Sequence, residues 1–328
     1  AQERGRVMGV WNSVIPLAGL TLPFAAGLLV DALGWRAIYP PILLAAALAF
    51  VMIRRNIQPL TQKIDFGYLR SFDWVGVALL SGALASLLFY TSSRPITGVP
   101  ALQDVRLLAM WPLLFAALIV WERRRPDPYV KLNIFANGTF SLSSVCAGLR
   151  MSLMTSISFL LPLYMSDVHA SPASVIGMAL TMQAGMLFLT SRMGGQLADR
   201  FGSRLPVTVS MAGLIGVMLF LGSLPASAPL WLIFAAALAH GLLIGLSLAP
   251  LHRSAMQRID EEEVGMAAGL YSMLRFAGQI LGTAVAGVLL QRGLERYAAP
   301  VDAYQVVFYV FAGVAAAATV VGWRLREA

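Results

Sequence analysis

Cysteine is almost absent from this chain: among 328 residues only Cys146 is one. No disulfide can form within it, no Cys-x-x-Cys pair exists, and a cysteine-held metal is excluded. Charge is nearly as scarce, at 12% of residues, about half of what an ordinary soluble domain carries. Histidine is confined to His169, His240 and His252, which form no metal-ligand spacing. Acids are missing from a telling place. All 16 Asp and Glu residues fall between apolar runs or at their ends. No Ser/His/Asp set or paired carboxylates emerge, so enzymatic chemistry has no foothold. No G-x-x-x-x-G-K-[ST] loop follows a strand pattern, which argues against ATP as an energy source within this chain. No cofactor is called for.

What the chain has in abundance is apolar sequence: 58% of residues are hydrophobic and the mean hydropathy is +0.74. Runs of about 20 apolar residues cross a hydrocarbon core, and helices do so because they satisfy their own backbone polar groups in lipid. Ten such spans are expected, at 7–30, 35–53, 72–91, 106–121, 138–165, 173–193, 205–223, 229–250, 264–291 and 303–323. The fourth is short for a full crossing. Pro16, Pro23, Pro112 and Pro162 lie within spans or near their ends, where neighbouring helices re-satisfy the freed carbonyls. The fold class is therefore an all-α polytopic membrane protein.

The net charge of +8 comes almost entirely from arginine. In a soluble chain it would point to nucleic acid. Here the cations sit in short connections between spans, so no nucleic-acid partner is expected and the charges orient the protein in its membrane. With a cytoplasmic N-terminus, 17 Lys and Arg residues fall inside and 5 outside. Both termini are thus expected in the cytoplasm. The basic links 54–71 and 122–137 read as cytoplasmic connectors whose amphipathic pieces can rest on anionic lipid headgroups.

Two arginines break the pattern. Arg150 and Arg275 lie mid-span, each costing about 2.5–3.5 kcal/mol to insert unless it meets water or a partner. No acid of this chain shares their depth, so each faces water, backbone carbonyls, an anionic substrate group or an acid outside the chain. Both are candidates for a substrate cavity, and Gln183 and Tyr271 join them by helix position. His240 reads as a bonded structural imidazole. Gly265 with Gly269, and Gly278 with Gly282 and Ala286, read as close-packing ridges. The segment GGQLADRFGSR, Gly194 to Arg204, reads as a charged loop with a close approach at Gly195 and a tight turn at Gly202. Its fixed charges are Asp199, Arg200 and Arg204.

That segment fills G-x-L-A-D-R-x-G-x-R between the second and third spans of a six-span block, with Gly195, Leu197, Ala198, Asp199, Arg200, Gly202 and Arg204 in place. In this the chain resembles the C-terminal half of the major facilitator superfamily. RGRVMG, DALGWRAIY, FDWVG, NIFANGTF, LPLY and GLYSMLRFAGQILG resemble its fourteen-span drug/proton antiporter branch, and the likeness covers nearly the whole chain. It implies residues 1–53 as the last two helices of an N-terminal bundle. Residues 54–137 would be the links plus an extra helix pair, and 138–328 a six-helix C-terminal bundle. The fold is incomplete on this plan, with the first four helices lying outside the chain, which is read as a fragment or truncated product. TLPFAAG, Thr21 to Gly27, keeps Pro23 and Gly27 of the branch's antiporter signature, with Leu22 and Ala26 in place of glycines; it predicts a kinked, tightly packed helix.

The resemblance implies a secondary transporter in a bacterial inner membrane, exporting drug-like or amphipathic small molecules by alternating access with protons as coupling ion. No oligomer is required. Its gate motif would place Asp199 against Arg4 to Gly9 of the first span, with Arg4 or Arg6 as salt partner. Pairing within its own loop, with Arg200 or Arg204, is the alternative. Arg275 matches an arginine recurrent in the family's GLxxxxRxxGxxxG helix. A non-transporting membrane protein, a sensor or an inactive truncated form, is the competing expectation.

Overall fold

A computed structural model describes residues 2–56, 72–91, 98–100, 103–125, 132–261 and 263–325, with no side-chain description for residues 2–17 and 132. Among the described residues ten α-helices follow one another: α1 (Gln2–Leu33), α2 (Tyr39–Asn56), α3 (Trp74–Thr91), α4 (Val105–Arg124) and α5 (Gly138–Asp167), then α6 (Ala173–Phe201), α7 (Arg204–Ser223), α8 (Leu230–Met256), α9 (Val264–Arg296) and α10 (Pro300–Trp323). Short 3₁₀ turns at Trp35–Ile38 and Leu132–Ala136 precede α2 and α5. Every expected span is helical, and the described residues contain no strand. Nine helices among the described residues are long and apolar enough to cross a membrane, and Ala18–Leu33 adds a shorter apolar stretch within α1. The protein is an integral membrane protein. The amphipathic character expected of the basic links falls largely on 57–71 and 126–131, outside the described residues.

Local chemistry sets the helix ends. The Asn137 side chain accepts from the amides of Thr139 and Phe140 at 3.0 and 3.2 Å, and Asp104 accepts from the Arg106 amide at 3.1 Å. Both satisfy amides that a first helical turn leaves orphaned. Gly202 turns the chain between α6 and α7 at φ 76°, a conformation that costs glycine nothing. One expectation is corrected. Most of GGQLADRFGSR is not a loop: α6 runs on through Phe201, so Gly194 to Phe201 form its last two turns. No helix breaker stands before Gly202, and polar residues continue a helix past the membrane surface as readily as apolar ones.

Helices α5 to α10 form one bundle. Its core holds Phe140, Leu153, Tyr164, Met211, Phe308 and Phe311, all sealed from solvent. The most extensive packing joins α6 to α8, α5 to α9 and α7 to α10, while α1 lies along α6. Helices α3 and α4 pair with each other, and α3 rests against α9. No residue of α2 is buried. Leu43 and Leu44 are 68% and 63% exposed, a surface that only lipid or another apolar helix stabilises.

Close backbone approach is concentrated where α9 crosses α5. A Cβ on Gly278 would strike the Gly148 backbone, and one on Gly282 would strike Ser152. The ridge expected there exists. The ridge expected at Gly265 and Gly269 does not, since a Cβ at either would meet open space. Those two glycines lie in the first turns of α9, before the crossing begins.

Candidate functional site

Among the described polar groups at membrane depth two features concern the sequence candidates: a buried seam and an unpaired cation. In the seam, Arg150 of α5 donates from Nε and Nη2 to the Ile244 carbonyl of α8, at 3.1 and 2.8 Å, and from Nε to Ser247 Oγ at 2.9 Å. It is 2% exposed. About one turn before Ile244 on α8, His240 faces Gln183 of α6, with Nδ1 2.7 Å from the Gln183 amide nitrogen and Nε2 3.3 Å from the Leu153 carbonyl. One tautomer satisfies both contacts: Nε2–H donates to Leu153, and Nδ1 accepts from Gln183. His240 is thus the bonded, neutral imidazole that its apolar span predicts.

Arg150 and Gln183 therefore do not open on a cavity, as their positions had suggested. Both spend their donors on neighbouring helices, because a polar group in a membrane interior is cheaper paired than free. Tyr271 is corrected likewise. It is 2% exposed, with its ring edge-on to His252 at 5.4 Å.

Arg275 is different. Its guanidinium carbon lies 5.8 Å from the Tyr271 ring centroid, and the residue is half-buried on α9. Its Nε is buried without a hydrogen-bond partner. Among the described residues no acid pairs with it. This is the one sequence candidate that the structure leaves with unspent donors at membrane depth.

The helix α6 carries two further sites at opposite ends, roughly 40 Å apart by its rise per residue. At the far end Asp199 Oδ1 accepts from Arg253 Nη1 of α8 at 2.6 Å. The partner is not Arg200 or Arg204, and the expected approach to Arg4 or Arg6 falls on side chains outside the described residues. The pair is open, with Arg253 and Asp199 side chains 45% and 74% exposed. Arg204 stacks over Trp323 of α10 at 4.2 Å, and Arg200 is exposed. The close approach belongs to Gly194, which abuts the Leu246 backbone; Gly195 makes only ordinary contact with Ala249.

At the near end α1 is clamped to α6. Gly27 presses on the backbone of Ala173 and Ser174, and Gly177 on that of Pro23. The tight packing expected around Pro23 and Gly27 is present. Asp31 then closes the contact: Oδ1 accepts from the Ala173 amide and Oδ2 from the Ser174 amide, both at 2.8 Å. A carboxylate here meets orphan amides and the positive end of the α6 dipole. Hydrogen bonds from the Ser174 side chain, its amide and the Ala173 amide hold the Asp31 carboxyl below its ordinary pKa. Sequence reasoning missed Asp31, because an acid at a helix end names no partner.

Helices of membrane length, a buried polar seam, a lone cation and a motif-bearing α6 tied at both ends define a polytopic membrane protein of transporter type. The sequence model of the Major Facilitator Superfamily matches residues 140–328, more than half of the chain, and the chain belongs to that superfamily. It is similar to the multidrug resistance protein Stp of Mycobacterium tuberculosis, 27% identical over 303 residues, covering 92% of this chain and 55% of that protein. The tetracenomycin C resistance and export protein of Streptomyces glaucescens is 29% identical over 295 residues, covering 86% and 52%. The riboflavin transporter RibZ of Clostridioides difficile is 21% identical over 288 residues, covering 87% and 60%. The chain spans about half the length of these curated relatives.

Proposed function

We propose that this chain belongs to a secondary transporter of the fourteen-span branch that exports drug-like or amphipathic small molecules by alternating access, driven by the proton gradient. In this reading residues 1–53 supply two helices of one bundle, 138–328 form the other, and 54–137 carry the extra helix pair. The termini face the cytoplasm of a bacterial inner membrane. Two relatives named for resistance, one of them also for export, support the substrate class. The pairing of α3 with α4 beside α9 supports the extra hairpin.

The observation that carries the reading is Arg275. An ionisable group held at membrane depth with unspent donors marks a substrate or ion pathway. Arg275 recruits the anionic or electron-rich part of a substrate, while the bundle that includes α1 rocks against α6 and the Asp31 contact opens and closes. The helix crossings at Gly278 and Gly282 allow α9 and α5 to slide without losing contact. Coupling acids are assigned to helices outside this chain.

Efflux of a fluorescent cationic dye and of a carboxylate-bearing drug from energised cells tests the proposal. Export of either is expected to stop when an ionophore collapses the proton gradient. Export that persists undiminished after collapse contradicts proton coupling, and absence of export of any amphipathic compound contradicts the substrate class.

A further inference from the structure

Between the helix pair and the bundle lies an apolar cleft of about 400 Å³. Leu80 and Leu84 of α3, Phe115 and Ile119 of α4, and Leu270 and Leu274 of α9 wall it. A second hollow of about 160 Å³ continues it along α3 and α9 as far as Leu88 and Leu281. The two share Leu84, Met273 and Ala277, so they form one seam. From Leu270 to Leu281 the seam runs roughly 16 Å along α9. That is about half the thickness of a hydrocarbon core, the depth of one leaflet.

One end of this seam is charged. Arg123, in the last turn of α4, lines its mouth. Its neighbour Arg125 is spent on Asp73 at 2.9 Å, yet among the described residues no acid engages Arg123. The helix directions agree about depth. Arg123 and Phe135 lie at the α4 C-terminal end, and α3 and α9 both start at that end and carry the apolar lining away from it. A free cation at the surface, above a leaflet-deep apolar slot, complements an acyl chain joined to an anionic headgroup.

We propose that this cleft binds one anionic phospholipid, with an acyl chain along the α3–α9 seam and its phosphate on Arg123. The lipid fills the space between the hairpin and the bundle, and so couples them. Which leaflet supplies it rests on the orientation proposed above; binding itself does not rest on transport. The test is native mass spectrometry of the purified protein, supplied with phosphatidylglycerol and phosphatidylethanolamine in equal amounts. One phosphatidylglycerol is expected to stay bound per chain. Arg123→Glu is expected to lower its retention at least tenfold, and Arg123→Lys to keep most of it. Ala277→Trp, which fills the slot and leaves the charge, is expected to lower it as well. Equal retention of both lipids by the wild type, or unchanged phosphatidylglycerol on Arg123→Glu, would overturn the proposal. A wild type that binds phosphatidylglycerol and exports nothing sinks the transport reading alone.

Discussion

Two arginines that look alike in sequence have separate fates at the residue scale. Arg150 is a structural residue: three charge-assisted hydrogen bonds tie α5 to α8. Arg150→Ala removes the hydrogen bonds from α5 to the Ile244 carbonyl and the Ser247 hydroxyl and is expected to destabilise the bundle by about 1.5–3 kcal/mol, read as a lower thermal midpoint in detergent. Arg275 makes no such bonds, so Arg275→Ala is expected to leave the midpoint within a degree or two of wild type while cutting efflux at least tenfold. Wild-type efflux by that variant would remove Arg275 from the pathway. Both arginines were legible as exceptions because a cation in an apolar run is costly. Their roles were not, since the partners of Arg150 are a carbonyl and a serine on a helix 94 and 97 positions away. Asp31 is the reverse case. Its carboxyl is held below the ordinary range, so the clamp on α6 is present above the unfolded carboxylate pKa and is lost only as pH falls through the lowered one. The α1–α6 distance, read by paired spin labels placed clear of Asp31, is therefore expected to stay constant from about pH 5 to about pH 8.

At the scale of elements, α6 is the part on which the account turns. One end grips α1 through Gly27, Gly177 and Asp31; the other holds α8 through Asp199 and Arg253. An exposed pair of this kind is worth no more than about 1 kcal/mol, so stability alone does not account for it, and the proposed function gives it a role in export. Asp199→Asn is expected to leave folding unchanged and to slow export, and the exchange Asp199→Arg with Arg253→Asp to recover part of the loss. Equal slowing in the single and exchanged variants would show that the pair does not act as a unit. The ten helices were legible because a 20-residue apolar run admits one structure in lipid. The end of α6 was not, because glycines and charges suggest a loop, while only Gly202 adopts a backbone that breaks the helix. Gly177→Val, placed against the Pro23 backbone, is expected to force α1 from α6 and to abolish export at normal membrane levels.

On the scale of the whole molecule the described residues form a six-helix bundle with α1 clamped to it, a hairpin at its side and an α2 in which no residue is buried. That arrangement suits a machine whose second surface moves against α6. The gate motif implied a contact of α6 with α1 at Asp199, where the side chains of α1 lie outside the described residues; α1 lies along α6 and is held at the opposite end by Asp31. The most direct test of alternating access is to fix that contact. Cysteines at Leu28 and Ala173, beside the Gly27 contact and with Asp31 left in place, can be bridged by a bifunctional maleimide without interference from Cys146, which is fully buried. Export by the double-cysteine protein before bridging, and its loss once a cleavable bridge holds α1 to α6 with recovery on cleavage, is the predicted result. Export at the unbridged rate with the bridge intact would contradict the account.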